Sequence, residues 1–113
     1  METLEERIER LEYYQSLVMG LVDDRLAPFY KMIIDAKLTK NDVEELLNLC
    51  EELSIKFKEQ KAEGLVVFTP LLTHFVGMLH PNLNPEQTIY VLLKQGMYTD
   101  LMQELKKMVA NIQ

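Results

Sequence analysis

The residues with the widest chemical reach in this sequence are His74, His80, Cys50 and the glutamate doublets Glu44-Glu45 and Glu51-Glu52. The two histidines stand six residues apart, which sets them on different faces of an ideal helix. Zinc on a helix takes ligands three or four residues apart and needs three or four in all. Cys50 would be the third, but nothing in the spacing brings it to the histidines. The expected roles are a buried or half-buried His74 and a solvent-facing His80 at a helix C-terminus, with no metal and no cofactor. Cys50 stands between Leu46 and Leu53 on an apolar stripe. A reactive thiolate needs a helix N-terminus or a neighbouring cation, so Cys50 reads as a small core residue. The doublets repeat seven residues apart beside Asn and Lys, whereas acid–base work needs a carboxyl in an apolar pocket. They read as a solvated face.

Two further groups carry weaker signals. Lys56, Lys58 and Lys61 interleave with Phe57, but Glu59 and Glu63 offset most of their charge, so surface pairing at i, i+4 is preferred to nucleic-acid contact. Seven methionines, four of them within residues 78–108, raise the alternative of an adaptable binding groove, though methionine at helical spacing is more often core filler. The sequence holds no glycine-rich phosphate loop, no GxSxG, no Ser-His-Asp set and no CxxC. No catalytic residue is therefore expected.

The elements that must position these groups are helical. Leu4, Ile8, Leu11, Gln15, Val18 and Val22 are spaced 4, 3, 4, 3, 4, a heptad seam with one polar member. They predict a first helix from about Thr3 to Val22. From Tyr13 onward the stripe widens to Tyr14, Leu17 and Leu21 and looks core-facing, until Asp23, Asp24 and Arg25 interrupt it. Pro28 opens a short second helix to about Ala36 through Phe29, Met32 and Ile33. Thr39-Lys-Asn-Asp42 resembles a capping box and opens the longest helix, about Lys40 to Glu63. Its buried side is marked by Val43, Leu46, Leu47, Cys50, Leu53 and Phe57, and Gly64 stops it. At roughly 36 Å, its polar end is expected to project from the body or lie along a second subunit. Leu65-Val-Val-Phe68 reads as an extended buried connector. Thr69-Pro70 reads as N-cap and first-turn pair for a fourth helix through Leu71, Leu72, Phe75, Val76 and Leu79. Asn84-Pro85 starts a fifth helix that Gly96 ends. A sixth, about Tyr98 to Ile112, carries Leu101, Leu105, Met108, Val109 and Ile112 on one face.

Five to six helices in 113 residues make an all-α bundle or array: a single helical domain over 1–113, with a heptad-type helix over 1–22 and a helical body over 23–113. With 48% hydrophobic and 27% charged residues, the chain is too apolar for disorder. Its net charge is −6, and residues 1–25 hold 7 acids against 3 bases while residues 65–113 hold 3 of each. An acidic chain without a polybasic stretch argues against direct nucleic-acid binding and against anionic membranes. The charged first 12 residues argue against a secretory signal. A single cysteine fits a reducing compartment. The expected location is the cytoplasm.

Arg7-Ile-Glu-Arg-Leu-Glu-Tyr-Tyr14, Pro28-Phe-Tyr30, Gln60-Lys-Ala-Glu-Gly64 with Phe68, Thr88-Ile89, Gln95-Gly-Met-Tyr98 and Leu101-Met102 run in this order along the chain. Together they resemble the YhaI-like family of small bacterial proteins. The resemblance implies an all-helical, self-associating fold and transfers no activity, substrate or catalytic residue.

These readings converge on a non-enzymatic helical protein that forms a homo-oligomer, dimer or trimer, through Leu4, Ile8, Leu11, Gln15, Val18 and Val22, and that docks a further protein partner. Two alternatives differ in class: an accessory transcriptional regulator acting through DNA or a DNA-binding partner, and a small-ligand-binding protein using the apolar back half.

Overall fold

A computed structural model describes residues 1–23 and 27–112, without the side chain of Ile112. Asp24, Arg25 and the Ile112 position on the sixth helix's apolar face thus lie outside the described residues. Six helices follow in order: α1 (Leu4–Met19), α2 (Pro28–Asp35), α3 (Lys40–Ala62), α4 (Thr69–Met78), α5 (Pro85–Lys94) and α6 (Thr99–Ile112). Among the described residues there is no strand. No helix there is long and apolar enough to cross a membrane.

The body is α2 to α6. Its helices meet as α5 on α6, α2 on α5, α3 on α4, and both α3 and α4 on α6. One continuous core runs through it, with Cys50, Leu53, Phe75, Leu92, Leu101, Met102 and Leu105 fully enclosed. The buried side of α3 is Leu46, Leu49, Cys50, Leu53 and Phe57. Leu49 joins it although the apolar stripe omitted it. Val43 and Leu47 are only partly covered and pack on the edge of the core.

Local chemistry sets the helix ends. The Thr39–Asp42 capping box is present: Thr39 N–H donates to Asp42 Oδ2 at 2.9 Å and Asp42 N–H donates to Thr39 Oγ1 at 3.1 Å. Each bond satisfies an otherwise orphaned donor of the first turn. Gly64 ends α3 at φ +88°, where Leu65 N–H donates to Gln60 O and Gly64 N–H to Lys61 O. That is a Schellman motif. Gly96 repeats it after α5 at φ +75°. Lys37 makes the same two bonds after α2, to Ile34 O through its own N–H and to Ile33 O through that of Leu38, at φ +56°. A side chain there meets the steric cost of the left-handed region.

Two expectations for this stretch need correction. The start of α4 is one residue earlier than Thr69-Pro70 suggested: Phe68 is the N-cap, without a side-chain cap, and Thr69 is already helical. The cause is Phe68 itself, whose ring packs edge-on against Phe57 at 4.9 Å and whose carbonyl accepts from Leu71 N–H at 3.0 Å. The connector is not buried as a whole, because Leu65, Val66 and Val67 are exposed and only Phe68 is enclosed. The Phe57–Phe68 contact ties α3 to the body at Phe57; beyond it Lys58, Glu59, Lys61 and Ala62 are exposed, as the polar end of the helix predicts.

The projecting helix is α1. None of its residues is buried, and it shares in none of the principal helix contacts. Tyr13, Tyr14, Leu17 and Leu21, expected to face the core, are exposed. The molecule measures 65 × 25 × 23 Å with a radius of gyration of 17.4 Å, against about 13 Å for a compact chain of this length. The body closes its core with α2 to α6, and the rear of α1 takes no part in it.

The helix ends yield a paired prediction. No atom lies within 4 Å of a Cβ added at Gly64, so Gly64→Ala isolates the conformational cost and should destabilise by about 1 kcal/mol. Lys37→Gly removes that cost and should stabilise by about 0.5–1 kcal/mol. Urea melts of the two variants should move to opposite sides of the parent.

Candidate functional site

The surface of α1 takes no part in the core of its own subunit. Its helix is secured locally. Thr3 caps it, with Thr3 Oγ1 accepting from Glu6 N–H at 3.1 Å and Glu6 reaching back to the Thr3 N–H. This Thr-x-x-Glu box is legible in the sequence but stands outside the heptad argument that located the helix. Arg10 forms a forked pair with Glu2, Nε to Oε2 at 2.8 Å and Nη2 to Oε1 at 2.9 Å, and its guanidinium stands 5.7 Å from the centre of the Tyr14 ring. The Glu2 carboxylate raises the Arg10 pKa further. These contacts hold 16 residues helical while the side chains stay in water.

Leu4, Ile8, Leu11 and Val18 are exposed at 72%, 46%, 51% and 58%, and Gln15 is exposed among them. Five of the six expected seam residues thus lie on one helix. The sixth does not: α1 stops at Met19 with Gly20 as C-cap, and Val22 falls beyond it, half-buried. The helix fails to reach Val22 because Gly20 and Leu21 turn the chain, with Leu21 N–H donating to Val18 O and Val22 N–H to Met19 O.

The residues considered for chemistry are scattered. Cys50 is fully buried, and burial pushes its thiol up to about 12. Tyr98 Oη donates to Leu47 O at 3.4 Å nearby, and burial raises that phenol as well. His74 is half-buried on α4. His80 does not cap α4. Its Nδ1 accepts from Asn82 N–H at 3.0 Å, inside the loop before α5, and its Nε2 stands 3.7 Å from Asp42 Oδ2. Asn82 Nδ2 donates to Ala36 O at 2.9 Å, so the loop is tied to the α2–α3 corner. The Asp42 pKa is lowered, first by the Thr39 backbone N–H and least by His80. Asp42 therefore stabilises the fold above its unfolded pKa, and that contribution is lost as pH falls through the lowered folded value.

Among the described residues no three of His, Cys, Asp and Glu gather as a metal site. Glu44, Glu45, Glu51 and Glu52 are exposed, with Glu45 accepting from Asn41 at 3.2 Å and Glu52 paired to Lys56 at 3.4 Å. Lys61 stands over the Phe57 ring at 5.7 Å. The four methionines of the back half do not converge: Met102 is buried, Met97 and Met108 pack against the core, and Met78 is exposed at the far end of α4. A cleft of about 300 Å³ between α5 and α6, lined by Ile89, Tyr90, Lys106 and Val109 among others, contains none of them.

One comparison bears on the chain as a whole. The family model described as protein of unknown function, DUF1878, matches residues 1–110. The chain belongs to this family. The match takes in α1 together with the body, so the exposed helix is part of the unit that the DUF1878 family model describes and no appendage to it.

Cys50 supplies the test of the core around α3. A thiol reagent at neutral pH should leave it unmodified in the native DUF1878 chain and label it fully once urea unfolds the protein. Rapid native labelling would show that α3 does not hold the interior.

Proposed function

We propose that the protein is a non-enzymatic helical oligomer, a dimer or trimer, built by association of its α1 helices, and that the assembled bodies dock a further protein in the cytoplasm. One observation carries this reading: an apolar heptad stripe lies entirely in water on a helix that its own subunit does not cover. A lone helix of this length is marginal in water, and a heptad stripe buries itself against another helix of the same kind. Contiguous exposed apolar surface on a soluble protein marks an interaction site. The order of markers resembling the YhaI-like family supports the reading too, because that resemblance implies self-association. The scatter of His, Cys and carboxylate groups favours an interaction role over catalysis, and the single cysteine suits a reducing compartment.

Light scattering on native protein at tens of micromolar should give a multiple of 13.2 kDa. Replacing both Ile8 and Leu11 by Glu should reduce it to one chain while leaving the near-complete helicity of α2 to α6 in the circular dichroism spectrum. A parent protein of one-chain mass at that concentration would overturn the reading.

A further inference from the structure

The heptad frame of α1 also fixes a direction. Because the step from Leu4 to Ile8 is four residues, Leu4, Leu11 and Val18 are d positions and Ile8 and Gln15 are a positions. The flanking g positions are then Arg7 and Tyr14, and the flanking e positions are Glu5, Glu12 and Met19. We infer that α1 pairs with the α1 of a second copy in parallel and in register, with Gln15 meeting Gln15 and Arg7 meeting Glu12 across the seam.

The inference rests on the self-association reading above and adds its geometry. In a parallel pair each a residue faces the same a residue of its partner. Gln15 then has a side chain that both donates and accepts, and the two amides satisfy one another inside the seam. In an antiparallel pair a positions face d positions. Every such register sets Gln15 against Leu4, Leu11 or Val18, and a buried amide without a partner costs about 1–3 kcal/mol. The flanks agree. Parallel packing brings g of one heptad to e of the next on the partner, so Arg7 meets Glu12 twice about the symmetry axis. Tyr14 meets Met19 in the same way, a ring against a thioether. Antiparallel packing brings e to e, which sets glutamates Glu5 and Glu12 among themselves. Arg10, the other cation of the helix, is already engaged by Glu2 at 2.8 Å on the face away from the seam. Within a parallel arrangement, Ile8 at a with Leu4 and Leu11 at d favours two strands.

The test uses disulfides. Leu4→Cys and Val18→Cys, made singly, should each form a covalent dimer with itself under mild oxidation. A disulfide needs Cα atoms within about 7 Å, and antiparallel registers that bury the seam set both like pairs about 15 Å or more apart. The parent chain is the control, since Cys50 is enclosed and should not crosslink. Charge reversal provides a second readout. Arg7→Glu alone and Glu12→Arg alone should each raise the dissociation constant severalfold at low salt, and the two together should restore it. Native oligomers that form neither homotypic disulfide, or a double reversal that does not recover, would overturn the parallel arrangement and leave self-association standing. A parent of one-chain mass would overturn both.

Discussion

Everything distinctive about this chain follows from the requirement that a helix bury its apolar side. Five helices meet it within the subunit: α3 through Leu46, Leu49, Cys50, Leu53 and Phe57, and the others through the same continuous core. They close on one another so fully that Leu92, Leu101 and Leu105 retain no exposure. The core of α2 to α6 is built without α1. The apolar stripe of α1 stays outside the interior, and the helix is held by its Thr3 cap and the Glu2–Arg10 fork.

Period and caps made most of the body legible. The 3.6-residue recurrence along α3 and the Thr39-x-x-Asp42 signature placed its start at the residue found, and Gly64 and Gly96 marked two ends through a backbone conformation that other residues enter at a cost. Lys37 adopts the same conformation and gave no such mark, because its identity carries no hint of the Schellman bonds that hold it. The front helix was equally legible, and it carries the stripe from Leu4 to Val18. The helix end was not, since Gly20 stops α1 before Val22.

The misreadings share a physical cause. The width of an apolar stripe reports how much surface seeks cover, and says nothing of whose surface supplies it. Tyr14, Leu17 and Leu21 widen the apolar stripe toward the rear of α1 and so resembled a core face, but the core of this chain is built without them. The Leu65–Phe68 run failed for a related reason. Four apolar residues in a row look equally suited to burial, yet one aromatic contact, Phe68 on Phe57, anchors the whole segment and leaves the other three in water.

A division of labour between body and helix bears on how the molecule behaves. The body encloses a continuous core within one chain. The helicity of α1 rests on a cap, an ion pair and about four turns of backbone hydrogen bonds, which together are marginal for a segment of this length. If a second copy supplies the missing cover, helix formation in α1 and association become one equilibrium, since each residue ordered there is stabilised by the partner's seam. The polar residue in that seam then has a physical role. An all-apolar stripe would pair more strongly but in several directions and registers, and the Tyr14–Leu17–Leu21 surface beside it would add still more. Placing Gln15 midway along the stripe penalises each arrangement that leaves it facing a leucine or valine, at the expense of some affinity. A directed contact of that kind, on a helix with four glutamates and two arginines, would suit an assembly that forms and separates without disturbing the core behind it.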